Sequence, residues 1–167
     1  MAWIQRAEQV GLRYSILLPL LIPVVLVTLG AWLAPYFADK GWTGLHSTAD
    51  FLPSYMCHQM EDRCPVCFGG HAALCFRCLA LYTSLSLALA LAPLLRVNVK
   101  SWQRLALAGA LVAPLVVDGL TAYLGWRQGN NTLRAITGAL AGFGLVLACI
   151  PPFLDDMERR FGRANHS

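Results

Sequence analysis

Five of the chain's six cysteines fall in one stretch, CHQMEDRCPVCFGGHAALCFRC, running from Cys57 to Cys78. It contains two C-x-x-C pairs, Cys64/Cys67 and Cys75/Cys78, and a Cys57-His58 dipeptide. Two thiols three residues apart can bind one metal ion or close one small disulfide, so the stretch points to metal or thiol redox chemistry. Cys75 and Cys78 share a face at the start of an expected helix, and Tyr82 extends that face by one turn. A further ligand pair must come from elsewhere, and Cys57 with His58 is its natural source. The resulting set, Cys57, His58, Cys75 and Cys78, suits zinc in a tetrahedral geometry; iron or copper accepts it less typically. Cys64 and Cys67 could replace or supplement these ligands. Two other readings of the same thiols stay open: plain disulfides of an oxidising compartment, and a redox-active dithiol.

Charges sit where charge is costly. Arg77 lies between Cys75 and Cys78 inside an apolar block, and Asp118 lies inside the next one. Ionisable groups at such depth are usually paired or functional. At about 1.5 Å of rise per residue, Arg77 is roughly 8 Å and Asp118 roughly 12 Å below the same end of their helices. An arginine side chain covers that difference, so an Arg77–Asp118 ion pair beside the cysteines is expected. Arg134 adds positive charge at the same face.

The elements that must position these groups are membrane helices. Of 167 residues, 57% are hydrophobic and 13% charged, about half the charged share of a soluble domain. The apolar residues gather into four blocks, over about residues 15–37, 72–95, 105–126 and 134–154. Each is long enough to cross a bilayer, which needs roughly 20 residues of helix. The first block is longer than a signal-peptide core, and prolines 19 and 23 are tolerable within a membrane helix, so it reads as a retained span. The expected architecture is an all-α, integral membrane four-helix bundle forming a single domain over 1–167. A long, cysteine-rich first linker, 38–71, is partly helical around Ser47–Gln59. Gly138 and Gly142 form a G-x-x-x-G pattern that lets helices approach closely.

Eight basic residues (Arg6, Arg13, Arg96, Lys100, Arg104, Arg159, Arg160, Arg163) flank one set of helix ends. Four (Lys40, Arg63, Arg127, Arg134) flank the other. The bias places both termini in the cytoplasm and the long linker outside the cell inner membrane. The net charge of +4 thus serves orientation and contact with membrane lipids, and nucleic acid is not an expected partner. A homo-oligomer or a membrane-complex partner is left open. Cys149 reads as a small core residue, His46 and His166 as solvated, His71 as interfacial, and the five tryptophans as an aromatic belt.

The order CHQ-x3-R (Cys57, His58, Gln59, Arg63), C-x-R-C-x3-Y (Cys75, Arg77, Cys78, Tyr82), DG (Asp118, Gly119) and LR-x3-G (Leu133, Arg134, Gly138) resembles the bacterial and archaeal predicted membrane proteins called domain of unknown function 2085. The resemblance implies that Cys57, His58, Cys75, Arg77, Cys78, Asp118 and Arg134 belong to one shared site, with Arg77, Asp118 and Arg134 as its charged members. Departures fall at Ala80 and Ala122, where that family usually has Gly and often Gln. Cys64 and Cys67 look like additions to its pattern.

Three functions follow as expectations. The first is a Cys/His metal site, zinc before iron or copper, with an anionic lipid or small substrate beside it. The second is a quinone-linked thiol–disulfide oxidoreductase, which four spans and a C-x-x-C beside an arginine also resemble. Such proteins carry a second cysteine pair in the other outer loop, and RQGNNT has none. The third is a disulfide-stabilised accessory subunit of a membrane complex.

Overall fold

Prolines decide how the first helix is used. In a computed structural model, residues 2–94, 100–126 and 129–164 are described, with side chains from 8 to 157. Leu95, Arg96, Arg127 and His166 lie outside the described residues, as do the side chains of Arg6, Arg159, Arg160 and Arg163. Helix α1 (Ala2–Asp39) carries Pro19, Pro23 and Pro35. A proline has no N–H, so the carbonyl four residues earlier loses its helical partner. For Pro35 that carbonyl belongs to Ala31, and the backbone N–H of Ala73 occupies it at 3.1 Å. Ala31 and Ala34 are buried there; larger side chains would hold the incoming segment away.

The linker after α1 is structured. Helix α2 (Thr43–Met56) is followed by a 3-10 turn at Glu61–Arg63. Strand β1 (Val66–Cys67) then pairs antiparallel with β2 (Gly70–His71), Val66 opposite His71 and Cys67 opposite Gly70. The two turn residues, Phe68 and Gly69, have φ of 50° and 79°. That conformation suits the right-handed twist of a two-residue hairpin. For Phe68 it is unfavourable, and edge-to-face packing on Tyr36, 5.7 Å between centroids, offsets the cost.

Helices α3 (Phe76–Leu91), α4 (Ser101–Tyr123) and α5 (Asn131–Ala164) complete the chain. Among the described residues, three stretches are long and apolar enough to cross a membrane: Glu8–Asp39, Ser101–Tyr123 and Asn131–Met157. Helix α3 is shorter, at 16 residues. Its block starts later than hydropathy alone indicates because Ala72–Cys75 is non-helical chain, its first three residues buried and its first two bonded to neighbouring segments. It ends sooner because a turn containing buried Pro93 follows Leu91. Helices α1 and α5 overrun their apolar blocks at both ends because polar flanks continue the same helix, whereas α4 starts earlier than its block and stops at Tyr123, three residues short of Trp126, where Gly125 at φ 71° turns the chain.

The principal packing runs in the order α4, α5, α3, α1, α2. Gly138 and Gly142 make the α3–α5 seam possible. A Cβ on Gly138 would overlap the Arg77 carbonyl oxygen, and one on Gly142 would overlap Ser84 Oγ and Leu81 O. Hydrogen bonds stitch α1 to α3: Tyr14 Oη donates to Ala90 O at 2.9 Å, and Thr28 and Ser86 hydroxyls meet at 3.1 Å.

Two minor expectations are corrected. Cys149 is exposed, not core, because the inward stripe of α5 runs through Thr137, Ala141, Val146 and Ile150. His46 is not simply solvated; its Nδ1 lies 3.0 Å from Ala34 O near the end of α1.

Candidate metal centre and adjoining cavity

Three thiols converge from two segments far apart in the chain. Cys75 is the N-cap of α3, and Cys78 follows on its first turn. The segment before them is immobilised by Ala73 N–H on Ala31 O and by Ala72 N–H on Pro65 O. Cys57 caps the other end of the arrangement, at the C-terminus of α2, where its N–H bonds Pro53 O at 2.9 Å. The sulfurs of Cys57, Cys75 and Cys78 all lie within 4.8 Å of one another. A tetrahedral zinc with Zn–S bonds of about 2.3 Å would hold its sulfurs about 3.8 Å apart. A small contraction of the trio suffices.

Gln59 holds this junction closed. It sits at φ 47°, and its Nε2 donates to Asp50 Oδ1 at 2.6 Å and to Ala73 O at 2.9 Å. One side chain thereby ties α2, the turn after it and the segment before α3. In the sequence Gln59 is only a member of the CHQ motif with no assigned task; its presence there is the signal that could have found it.

The surroundings favour thiolate at Cys57. The Cys75 N–H donates to Cys57 Sγ at 3.3 Å, and the trio sits at the N-terminus of α3, the positive end of the helix dipole. Hydrogen bonds from the Cys75 and Cys78 thiols, then from the backbone of Cys75 and Gln59, hold the Cys57 thiol far below its usual range despite its burial. Cys64 behaves oppositely. It is buried, and burial, then the negative charge of Cys57 and Cys75, pushes its thiol up to about 11. Cys67 is half-buried, donates weakly to Trp32 O at 3.7 Å, and is also raised by burial. Neither joins the trio.

His58 does not join it either. Cys57 is extended, at φ −142° and ψ 142°, and neighbouring side chains on extended chain point to opposite sides. With Cys57 turned to α3, His58 is exposed and contributes to the walls of two adjoining cavities.

The smaller cavity, about 310 Å³, is lined by all three thiol residues of the trio. The larger, about 710 Å³, reaches between α4 and the start of α5. Both are lined by His58, Arg63, Arg77 and Arg134. Arg77 leaves α3 from between the two cysteines and donates through Nη2 to Asp118 Oδ2 of α4, forming an ion pair. Asp118 is buried and Arg77 half-buried. Arg134 is buried at 8% exposure; its Nη1 donates to Asn131 Oδ1 at 2.7 Å. Its guanidinium lies against Gly129, where any Cβ would overlap it. Asn131 also donates through Nδ2 to Asp62 O at 3.0 Å, fastening the linker to α5. Asn131 and Gly129 were not among the sequence candidates, and no motif in the sequence marks them.

A family model described as predicted membrane protein (DUF2085) matches residues 57–148. The match begins at Cys57 and contains every residue of the trio and of the arginine walls. Two archaeal relatives are similar. An uncharacterized protein of Methanocaldococcus jannaschii is 34% identical over 148 residues, covering 84% of this chain and 94% of that protein. An uncharacterized protein of Methanothermobacter thermautotrophicus is 36% identical over 93 residues, 56% of this chain and 83% of that one. No solved structure matches the chain.

Proposed function

The chain belongs to the DUF2085 family of predicted membrane proteins, and from that premise we propose that it is a multi-pass membrane protein holding one zinc ion on the thiolates of Cys57, Cys75 and Cys78. The observation that carries this reading is the convergence of three sulfurs from separate segments on the N-terminus of α3. Soft thiolates select zinc, with iron or copper as the less typical occupants.

Four helices cross the membrane in this reading. Sixteen residues of α3 give about 24 Å, and the hydrocarbon core is about 30 Å thick. The N-terminal end of α3 is therefore recessed, with α2 and the hairpin above it. The metal lies just under the lipid surface, at the outer face of a bacterial inner membrane or its archaeal equivalent, with both chain termini in the cytoplasm. The fourth ligand position faces the cavity, whose wall carries His58. That position belongs to imidazole, or to water or a small substrate. Arg77, Asp118 and Arg134 form the polar wall where an anionic lipid or small substrate would meet the metal.

Elemental analysis of purified protein tests this. The wild type should carry one zinc per chain, and Cys75→Ser should lose it; equal metal in both removes the reading. Zinc lost in His58→Ala identifies imidazole as the fourth ligand, and zinc kept identifies water or substrate. The depressed Cys57 thiol favours one second reading, a thiol–disulfide oxidoreductase using a quinone. It predicts metal-free protein whose free-thiol count changes on quinone addition.

A further inference from the structure

We infer that the cavity beside the thiolates is a binding site for a phosphate group, gripped by Arg63, Arg77 and Arg134. The inference rests on the reading of that cavity as the place of an anionic ligand, and it names the chemistry. Three guanidinium groups from three different elements line one space: the 3-10 turn, α3 and the first turn of α5. Two carboxylates answer them. Asp118 is turned to Arg77 from within α4, and Asp62, itself on the wall of the larger cavity, pairs with Arg63 at 3.5 Å. The cavity side of this group keeps a positive excess, three guanidinium groups against two carboxylates.

The donors are held ready. Arg134 is buried, yet it lines both cavities, and Asn131 and Gly129 fix the plane of its guanidinium. A guanidinium has five N–H donors, of which Arg134 commits Nη1 to Asn131. Arg77 Nε is buried with no hydrogen-bond partner. A buried charged donor without a partner is costly, and an anion oxygen in the cavity would remove that cost. Planar guanidinium forks match the oxygens of phosphate two at a time, and a phosphate dianion brings the charge that three arginines can share. The source is either the headgroup of a phosphatidic-acid-type lipid or free phosphate.

Binding experiments on the full chain test the inference. Inorganic phosphate is titrated calorimetrically into detergent-solubilised protein. In parallel, lipid retention is measured in nanodiscs of phosphatidylcholine with and without phosphatidic acid. Binding in the first arm assigns free phosphate, and binding only in the second assigns a lipid headgroup. Arg134→Gln and Arg63→Ala should each weaken binding about tenfold or more. Arg63 is exposed and outside the α-helices, so its variant keeps the test decisive if Arg134→Gln does not fold. No binding by the wild type in either arm, or unchanged binding in both variants, overturns the inference. Zinc content is measured in the same samples. Phosphate bound without zinc refutes only the metal reading, and zinc bound without phosphate refutes only this one.

Discussion

The two ends of the helices are held by opposite means. Away from the linker, Leu17, Leu89, Val146, Ile150 and Leu154, with Ala88, form one mostly large-side-chain apolar cluster, and Arg13 is buried beside it, 3.9 Å from Asp155. At the linker end the cluster is mostly alanine, Ala31, Ala34, Ala72 and Ala73, together with Leu74 and Leu79. Large side chains fill space and hold helices by contact area. Alanines bring backbones close enough to exchange hydrogen bonds, as Ala73 does with Ala31. In a bilayer, where lipid is as apolar as leucine, small residues and buried polar bonds set specific geometry. The end that must position thiols and arginines is the end built that way.

The contrast can be broken most severely at Asp118. Asp118→Ala leaves Arg77 beside the trio without its carboxylate and should cost about 3–5 kcal/mol of stability. Chemical unfolding in detergent reads this, and a loss below about half a kcal/mol would mean that the pair is not a structural element of the linker end. Gly138→Ala forces a Cβ onto the Arg77 carbonyl; overpacking of this kind should cost about 1–3 kcal/mol and lower zinc retention, because it displaces the turn carrying Cys78. Leu154→Ala at the far end should also cost about 1–3 kcal/mol through lost packing, yet leave zinc content unchanged. Equal zinc loss in both variants would erase the distinction between the ends.

A smaller effect sharpens the comparison within the linker end. Gln59→Ala removes two hydrogen bonds and should cost about 1–2 kcal/mol, with weaker zinc retention measured by competition with a chelator. Unchanged retention would show that the Cys57 junction holds without its clasp. The mildest prediction concerns Cys64. Its thiol, raised to about 11, should alkylate slowly at pH 8 in folded protein and readily after unfolding, as mass spectrometry of labelled peptides would show. A raised thiol favours the folded state while protonated. Its contribution is intact below the unfolded value of 9.0 and is lost as pH rises through about 11.

Much of this architecture is readable in local chemistry. Long apolar runs demand helices because an unsatisfied backbone cannot lie in lipid. The C-x-R-C run at the start of α3 places two thiols and an arginine on one helical turn, and helical rise puts Arg77 and Asp118 within an arginine side chain's reach in depth. The family pattern already joined Cys57 to that turn. The division of labour inside Cys57-His58-Gln59 was not readable. Those three residues are adjacent, yet one enters the trio, one lines the cavity and one ties three segments together. Their roles depend on the extended Cys57 and the left-handed Gln59, conformations imposed by what surrounds them.

By itself the sequence determined the membrane class, the all-α content and the thiols and charges available for a site, because composition and periodicity act over a few neighbouring residues. Tertiary structure alone decided that Cys57 meets Cys75 and Cys78 without His58, and that Arg63 joins Arg77 and Arg134 around one cavity. Those meetings require the free Ala31 carbonyl above Pro35 to receive Ala73, and Asn131 to bind the Asp62 backbone. They are bonds between segments distant in the chain, which no local pattern encodes.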